Sequence, residues 1–234
     1  MKNVTLQICS GPKEIADAAS QSWFQVLRAP ARPLYCAISG GRIAAVFFAA
    51  LTELLRHQAS LLQEVHFFWA DERCVPPTDD QSNFAVAERL LFTPLLIPQS
   101  QVHPVCGTLS QEEAARRASA ELRAVVGRDF REYPALDLVF LSMGEDGHVA
   151  SLFPATASDL DQSGIYRPAM APVKLPRNRV TLSYRMLQSA CHLSVLISGA
   201  DKKEALEASL DHQKTPLGRV LAGCRSAKVF TDIE

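Results

Sequence analysis

The sequence lacks the cysteine and histidine patterns that are typical of metal sites. Its six cysteines are scattered without a CxxC pair, and its six histidines show no HExxH or other ligand spacing. Several cysteines lie within strand-like runs, which predicts small reduced core residues rather than disulfides. We therefore expect neither a metal nor another cofactor.

Long apolar segments and an excess of one charge are missing as well. The longest uninterrupted apolar run, IAAVFFAAL from Ile43, is much shorter than a membrane span, and the N-terminal stretch has no signal-peptide core. The net charge of −1, from 24 Lys+Arg against 25 Asp+Glu, provides no basic field for nucleic acid or an anionic membrane. We expect a cytoplasmic protein that binds a small molecule.

The sequence does contain a regular alternation of strand-like and helix-like segments. Seven apolar runs predict strands at 3–8, 34–39, 65–70, 136–142, 179–184, 192–198 and from 227 onward. Amphipathic patterns predict helices at 13–28, 42–57, 82–92, 111–127 and 202–210. This order predicts an α/β fold, with a mostly parallel sheet and helices on both faces, in a single domain over residues 1–234. Residues 155–178, rich in Pro, Ser and Asp, are expected to form a long surface connection rather than a flap.

Polar residues cluster at the carboxyl ends of the predicted strands, where parallel sheets bind ligands. The first cluster is ISGGR, in which Ser39, Gly40 and Gly41 end a strand and a helix begins near Arg42. The unsatisfied N–H groups of such a helix start form a phosphate cradle. Arg42 opposes the helix dipole unless an anion is bound there. A purely structural turn is the alternative interpretation.

Two further clusters supply cations. The stretch ADERCVPP contains Arg73, whose guanidinium donates in a fork and suits an oxyanion or a phosphate, although a solvated turn also explains the charges. Ser82 and Asn83 are candidate N-caps of the next helix. Arg179 opens a strand, and Lys202 lies in SGADK, which repeats the strand, glycine and helix arrangement of the first cluster.

The stretch LDLVFLSMGEDGHVASLFP contains the candidate catalytic group. Gly144 and Gly147 shape a loop after a strand, and Asp146 is close enough in sequence to orient His148. Histidine is the side chain whose ordinary pKa suits general-base work at neutral pH. No GxSxG elbow or cysteine–histidine motif supplies a nucleophile, so His148 would activate water. A packed or surface histidine is the alternative.

In order, the motifs ISGG, ADERCVP with SNF, MGEDGHVASLFP, RVTLSY and SGADK closely resemble the 6-phosphogluconolactonases, over about residues 10–230. The resemblance implies a modified Rossmann-type fold related to glucosamine-6-phosphate deaminases. It also implies metal-independent hydrolysis of 6-phospho-D-glucono-1,5-lactone, a sugar phosphate lactone of the oxidative pentose phosphate pathway. His148 would be the general base, and Arg73, Arg179 and Lys202 would face the substrate.

One position departs from the family, which commonly places a hydroxyl residue after SGG where this chain has Arg42. Arg42 either replaces the hydroxyl donor or points away from the phosphate. We expect the phosphate to be held at the turn that begins with Ser39, by Gly40, Gly41, Arg42 and Lys202. Arg73, with a backbone N–H near Gly144, would stabilise the oxyanion.

Two alternatives remain at this point. One is a glucosamine-6-phosphate deaminase or isomerase, which also uses a histidine near a DGH-type loop. The other is a non-catalytic sugar-phosphate-binding protein. The residues of ADERCVP and ASLFP favour the lactonase, and the chain has neither the room nor the basic charge for the helix-turn-helix that sensors normally carry.

Overall fold

All seven predicted strands form, but they are divided between two sheets. The computed structural model describes residues 3–28, 33–126, 136–154, 164–211 and 215–234. The strands are β1 (Val4–Ile8), β2 (Leu34–Ile38), β3 (Val65–Trp69), β4 (Asp71–Arg73), β5 (Leu138–Ser142), β6 (Tyr166–Met170), β7 (Asn178–Leu182), β8 (His192–Ile197) and β9 (Ala227–Thr231). Six of them build a parallel sheet in the order β1-β9-β8-β5-β2-β3, and β4-β7-β6 form a small antiparallel sheet.

The helices follow most of the predicted boundaries. They are α1 (Pro12–Leu27), α2 (Arg42–Leu55), α3 (Asn83–Ala87), α4 (Gln111–Val126), α5 (Tyr184–Gln188), α6 (Lys203–Asp211) and α7 (Pro216–Gly223). The single helix predicted over 82–92 is divided, because α3 passes into a π-helical turn at Glu88–Phe92. Helices α5 and α7 were not predicted, and residue 127 lies outside the described residues. No helix in the described ranges is long and apolar enough to cross a membrane.

The apolar strands explain the position of the core. Strands β2, β5, β8 and β9 are buried at almost every position, so both faces of the parallel sheet are covered, as expected for βαβ units. Phe47 of α2 packs against Trp23 of α1 and Phe140 of β5, with ring centroids 5.3 Å and 4.9 Å apart. The predicted α/β fold class is confirmed. All six cysteines are unpaired, and Cys36 is fully buried.

The antiparallel sheet corrects the prediction for residues 155–178. Residues 155–163 lie outside the described residues, but Tyr166–Met170 form β6 rather than an irregular connection. The strand was missed because Pro168 weakens its pattern, and an edge strand tolerates a proline that a central strand does not. Its register is supplied by β7, which no local pattern reveals.

The antiparallel sheet stands beside the carboxyl end of the parallel sheet. Strand β4 follows β3 after one residue, and the Leu182 N–H of β7 donates to the Ala70 carbonyl at 2.8 Å. Gln111 at the start of α4 holds the β6–β7 hairpin, because its side-chain amide donates to the carbonyls of Ala169 (2.7 Å) and Arg179 (2.9 Å). A ligand at the carboxyl edge of the parallel sheet therefore also meets the hairpin.

Candidate active site

A cavity of about 460 Å³ opens where the two sheets meet. Nine of the ten residues that the sequence singled out line it: Ser39, Gly40, Gly41, Arg42, Arg73, Gly144, His148, Arg179 and Lys202. The tenth, Asp146, is bonded to the imidazole of His148. Residues from five separate segments thus converge, although their roles remain predictions.

The glycine turn after β2 is shaped by close contacts. Gly41 has φ +104°, a conformation that favours glycine, and α2 begins at the next residue, Arg42. A Cβ atom on Gly40 would lie 1.9 Å from Asn83 Oδ1, so this position has no room for a side chain. The N–H groups of the first two residues of α2, Arg42 and Ile43, precede the first intrahelical acceptor and lie at the cavity, whereas the Ala44 N–H donates to the Gly41 carbonyl at 3.1 Å. The turn can therefore bind an anion.

The two cations predicted at the glycine turn, Arg42 and Lys202, differ in burial. The Arg42 side chain is 86% exposed, and its guanidinium lies 4.0 Å from Asp201. Lys202 is buried, which lowers its pKa; nearby Arg42 and Lys174 lower the pKa further, against Asp201 and Glu145. Burying a cation among cations is costly, so a bound anion would stabilise this arrangement.

Two arginines form a second cationic pair. Arg73 of β4 and Arg179 of β7 occupy paired positions of the antiparallel sheet, so their side chains lie on the same face. Arg73 Nη1 donates to the Gln81 carbonyl at 2.5 Å, whereas its Nε is buried and has no acceptor in the described part of the chain. Burial and the charge of Arg73 lower the pKa of Arg179, against the charges of Asp71 and Glu72. The two guanidinium groups therefore bring two positive charges to the cavity.

The loop after β5 fixes the imidazole of His148. Asp146 Oδ1 contacts His148 Nδ1 and also accepts the His148 N–H at 3.2 Å. Burial would raise the pKa of Asp146, but the hydrogen bond and charge of His148 prevail and lower it. An ionised Asp146 keeps the proton on Nδ1, which leaves Nε2 as the acceptor. The ring of Phe153 packs against the imidazole at 4.7 Å between centroids.

A backbone N–H near Gly144 was expected to bind the oxyanion, but the N–H groups of the two loop glycines are already bonded within the loop. The Gly144 N–H donates to the His148 carbonyl at 2.9 Å, and the Gly147 N–H donates to the Gly144 carbonyl at 3.0 Å. These bonds close the loop on itself. Both groups already have acceptors, so Arg73 is the better candidate for an oxyanion ligand.

The DER triplet is not a solvated turn. Asp71 lines the cavity and is buried, and its carboxylate accepts the hydroxyls of Ser39 (2.8 Å) and Ser151 (2.7 Å). Glu72 is also buried, and it accepts N–H groups at the start of α3. Sequence reasoning missed both residues; the signal was that the charges directly follow a fully apolar strand.

Other functional candidates were missed because their positions depend on distant partners. Ser142, Glu145, Lys174 and Ser198 also line the cavity. Asp232, after β9, holds the Gly199 turn by accepting the Gly199 N–H (2.9 Å) and the Ser198 hydroxyl (2.6 Å). Of the two predicted N-caps, Ser82 caps α3 by accepting the Ala85 N–H at 3.3 Å.

The cavity carries more positive than negative charge. Its lining includes five cations, Arg42, Arg73, Lys174, Arg179 and Lys202, against three carboxylates, Asp71, Glu145 and Asp201. Such a lining favours an anionic ligand. In the ranges that the structure describes, no three His, Cys, Asp or Glu side chains are grouped as metal ligands.

Comparison with known proteins places these features in context. The family described as glucosamine-6-phosphate isomerases/6-phosphogluconolactonase matches residues 11–229. A 6-phosphogluconolactonase of Treponema pallidum is 36% identical over 79% of this chain and 76% of the relative, and one of Thermotoga maritima is 33% identical over 79% and 77%. The crystal structure of 6-phosphogluconolactonase from Leishmania guyanensis superimposes with a TM-score of 0.85 at 27% identity, covering 97% of this chain and 95% of that one.

Proposed function

Because the chain belongs to the glucosamine-6-phosphate isomerase/6-phosphogluconolactonase family, we propose that it hydrolyses 6-phospho-D-glucono-1,5-lactone to 6-phospho-D-gluconate. This is a lactonase step of the oxidative pentose phosphate pathway. The resemblance predicted from the motifs is confirmed, and so is the predicted class of enzyme, a 6-phosphogluconolactonase. The observation that carries the proposal is that His148, held by Asp146, lines the same cavity as five cations.

The phosphate end of the substrate fits the glycine turn. The N–H groups at the start of α2, together with Arg42 and Lys202, bind the phosphate in this proposal. The binding energy of this remote group then places the lactone carbonyl beside His148. Arg42 supplies the donor that a hydroxyl residue provides in much of the family.

The reaction begins with general-base catalysis. His148 Nε2 removes a proton from a water molecule while the water oxygen attacks C1 of the lactone. The carbonyl oxygen becomes an oxyanion in the tetrahedral intermediate. When the bond between C1 and the ring oxygen breaks, the imidazolium returns its proton to that oxygen, which becomes a hydroxyl group. Asp146 keeps the imidazole oriented and stabilises its charged form.

The oxyanion is bound by Arg73 in this proposal. Arg73 lines the cavity, and its Nη1 donates to the Gln81 carbonyl at 2.5 Å, so the guanidinium is held at the cavity wall. A preorganised donor of this kind contributes about 2.7–4 kcal/mol to transition-state stabilisation. A lactone is a reactive ester, so a base, an oxyanion donor and a phosphate anchor suffice, and we propose a reaction without a metal.

A background-corrected lactonase assay on the purified chain tests the proposal. We expect hydrolysis of 6-phosphogluconolactone well above the spontaneous rate, and much less activity on glucono-1,5-lactone, which lacks the phosphate anchor. Ammonia release from glucosamine 6-phosphate, measured in parallel, should be absent. Ammonia release without lactone hydrolysis would replace this function with deamination, and binding without either reaction would indicate a sensor.

The general base is tested separately. We expect His148→Ala to lower kcat by about 10²–10⁴-fold, because proton transfer from water is lost while the cations remain. His57→Ala, at an exposed histidine outside the cavity, is the matched control and should retain wild-type activity. Near-normal turnover in the His148 variant would remove His148 from the mechanism.

A further inference from the structure

The loop between β6 and β7 carries a lysine that the sequence patterns did not single out. Lys174 lies at the tip of loop 171–177 and lines the cavity. It also lines the adjoining space with His148, Glu145 and Phe153. Lys174 therefore reaches the site from the antiparallel sheet, whereas the other phosphate-binding candidates follow strands of the parallel sheet.

The conformation of this loop is fixed by arginine side chains. Arg177 donates from Nε to the Ala171 carbonyl (3.1 Å) and from Nη2 to the Pro172 carbonyl (3.0 Å). Arg179, which lines the cavity, donates from Nε to the Pro176 carbonyl at 2.7 Å. The loop backbone is thus attached to a residue of the site itself, and the exposed Lys174 at its tip lies beside the cavity that it lines.

The positive charges around Lys174 favour the binding of an anion. Within the described ranges, no carboxylate oxygen lies within 4.0 Å of the side-chain nitrogen of Lys174 or Lys202. Lys202 is buried, and that burial lowers its pKa; the charges of Arg42 and Lys174 lower the pKa further, against those of Asp201 and Glu145. Arg42, Lys174 and Lys202 line the same cavity, so their positive charges repel one another. A phosphate dianion, with three acceptor oxygens, would convert this repulsion into attraction.

We propose that Lys174 is a substrate-binding residue that holds the phosphate of the lactone together with Arg42 and Lys202. This inference rests on the proposed function. The hairpin then contributes a cation to phosphate recognition, and Lys174 distinguishes phosphorylated from unphosphorylated lactones.

Steady-state kinetics of Lys174→Ala and Lys174→Met test the role, since the methionine keeps the length of the side chain without its charge. We expect both variants to raise KM for 6-phosphogluconolactone about tenfold with little change in kcat, the usual cost of a charged hydrogen bond. Their kcat/KM for glucono-1,5-lactone should equal that of the wild type. Lys174→Arg should restore most of the affinity.

Lys203→Ala is the matched control, because it also removes one lysine charge next to Lys202. Lys203 does not line the cavity, and its Nζ donates to the Glu234 carbonyl at 2.7 Å. We expect its KM to be unchanged. An unchanged KM in the Lys174 variants, or equal losses with both lactones, would show that Lys174 does not recognise the phosphate.

Titration calorimetry with 6-phosphogluconate separates this inference from the proposed function. We expect Lys174→Met to bind 6-phosphogluconate about tenfold more weakly than the wild type. Equal dissociation constants would overturn the role of Lys174 even if the wild type hydrolyses the lactone. If the wild type shows no lactonase activity, the proposed function fails, and the calorimetric comparison still decides the role of Lys174.

Discussion

The imidazole of His148 packs directly on Gly144. A Cβ atom at position 144 would lie 2.0 Å from His148 Cε1, a distance that no real contact reaches. The φ of Gly144 lies outside the left-handed region that favours glycine, so space rather than backbone conformation requires glycine here. Two residues therefore define the position of the imidazole. Asp146 holds it by a hydrogen bond, and Gly144 leaves room for it because it has no side chain.

Gly144→Ala tests this dependence. The added methyl group must displace the imidazole, and a misplacement of about 1 Å can lower the rate about 10²-fold. We therefore expect kcat for the lactone to fall by about that factor, with the fold retained by circular dichroism. Gly11→Ala is the control, since a Cβ atom there meets nothing within 4 Å. Wild-type kcat in the Gly144 variant would show that the imidazole position does not limit turnover.

At the scale of the element, the short helix α3 is organised by a buried carboxylate. Glu72 Oε1 accepts the N–H groups of Arg73 (2.7 Å) and Asn83 (2.8 Å), and Oε2 accepts the Phe84 N–H (2.8 Å) and the Ser82 hydroxyl (3.1 Å). Glu72 thus joins β4 to the start of α3. The position of β4, which carries the cavity residue Arg73, depends on these hydrogen bonds.

Glu72→Gln should weaken the hydrogen bonds between β4 and the start of α3, although it preserves the shape of the side chain. The glutamine NH₂ group replaces one accepting oxygen and would face N–H or O–H donors. A buried donor without an acceptor costs about 1–3 kcal/mol of stability. We expect the free energy of unfolding in urea to fall by about that amount. Glu207→Gln, at an exposed position of α6, should leave it unchanged. Equal stability of the two variants would contradict the role assigned to Glu72.

At the scale of the whole molecule, a histidine pair links the edge of the parallel sheet to α4. His66 Nδ1 of β3 lies 2.9 Å from His103 Nε2, and His103 Nδ1 lies 2.8 Å from Glu121 Oε1 of α4. Burial lowers the pKa of His66 below its ordinary value of 6.5, and the charge of His103 lowers it further, against Glu64. Helix α4 also holds the β6–β7 hairpin through Gln111, so this link supports the site indirectly.

This pair predicts a pH dependence of stability. A base whose pKa is lowered by folding binds fewer protons in the folded state, so its contribution to stability is lost as the pH falls below about 6.5. We expect the unfolding free energy in urea to decrease from pH 7.5 to pH 5.5, and to decrease less in His66→Gln. His57→Gln, at an exposed histidine, should follow the wild type. An identical pH slope in the His66 variant would contradict this assignment.

Much of the parallel sheet could be predicted because its determinants are local. Apolar runs such as 34–39 and 136–142 are buried wherever they pack, and glycines after a strand mark a turn before a helix. The carboxyl ends of parallel strands share one edge, so Gly40, His148 and Lys202 could be assigned to one site without coordinates. The motifs were specific enough to identify the family.

The sequence by itself thus determined the parallel sheet, the turns at its edge and the residues of the family motifs. Only the tertiary structure decided that Asp71–Arg73 and Tyr166–Met170 pair with β7, that Asp71 and Glu72 are buried, and that Lys174 reaches the cavity. The physical reason is that a short or charged strand has little preference of its own. Its hydrogen bonds, its burial and the direction of its side chains are supplied by partners distant in the chain.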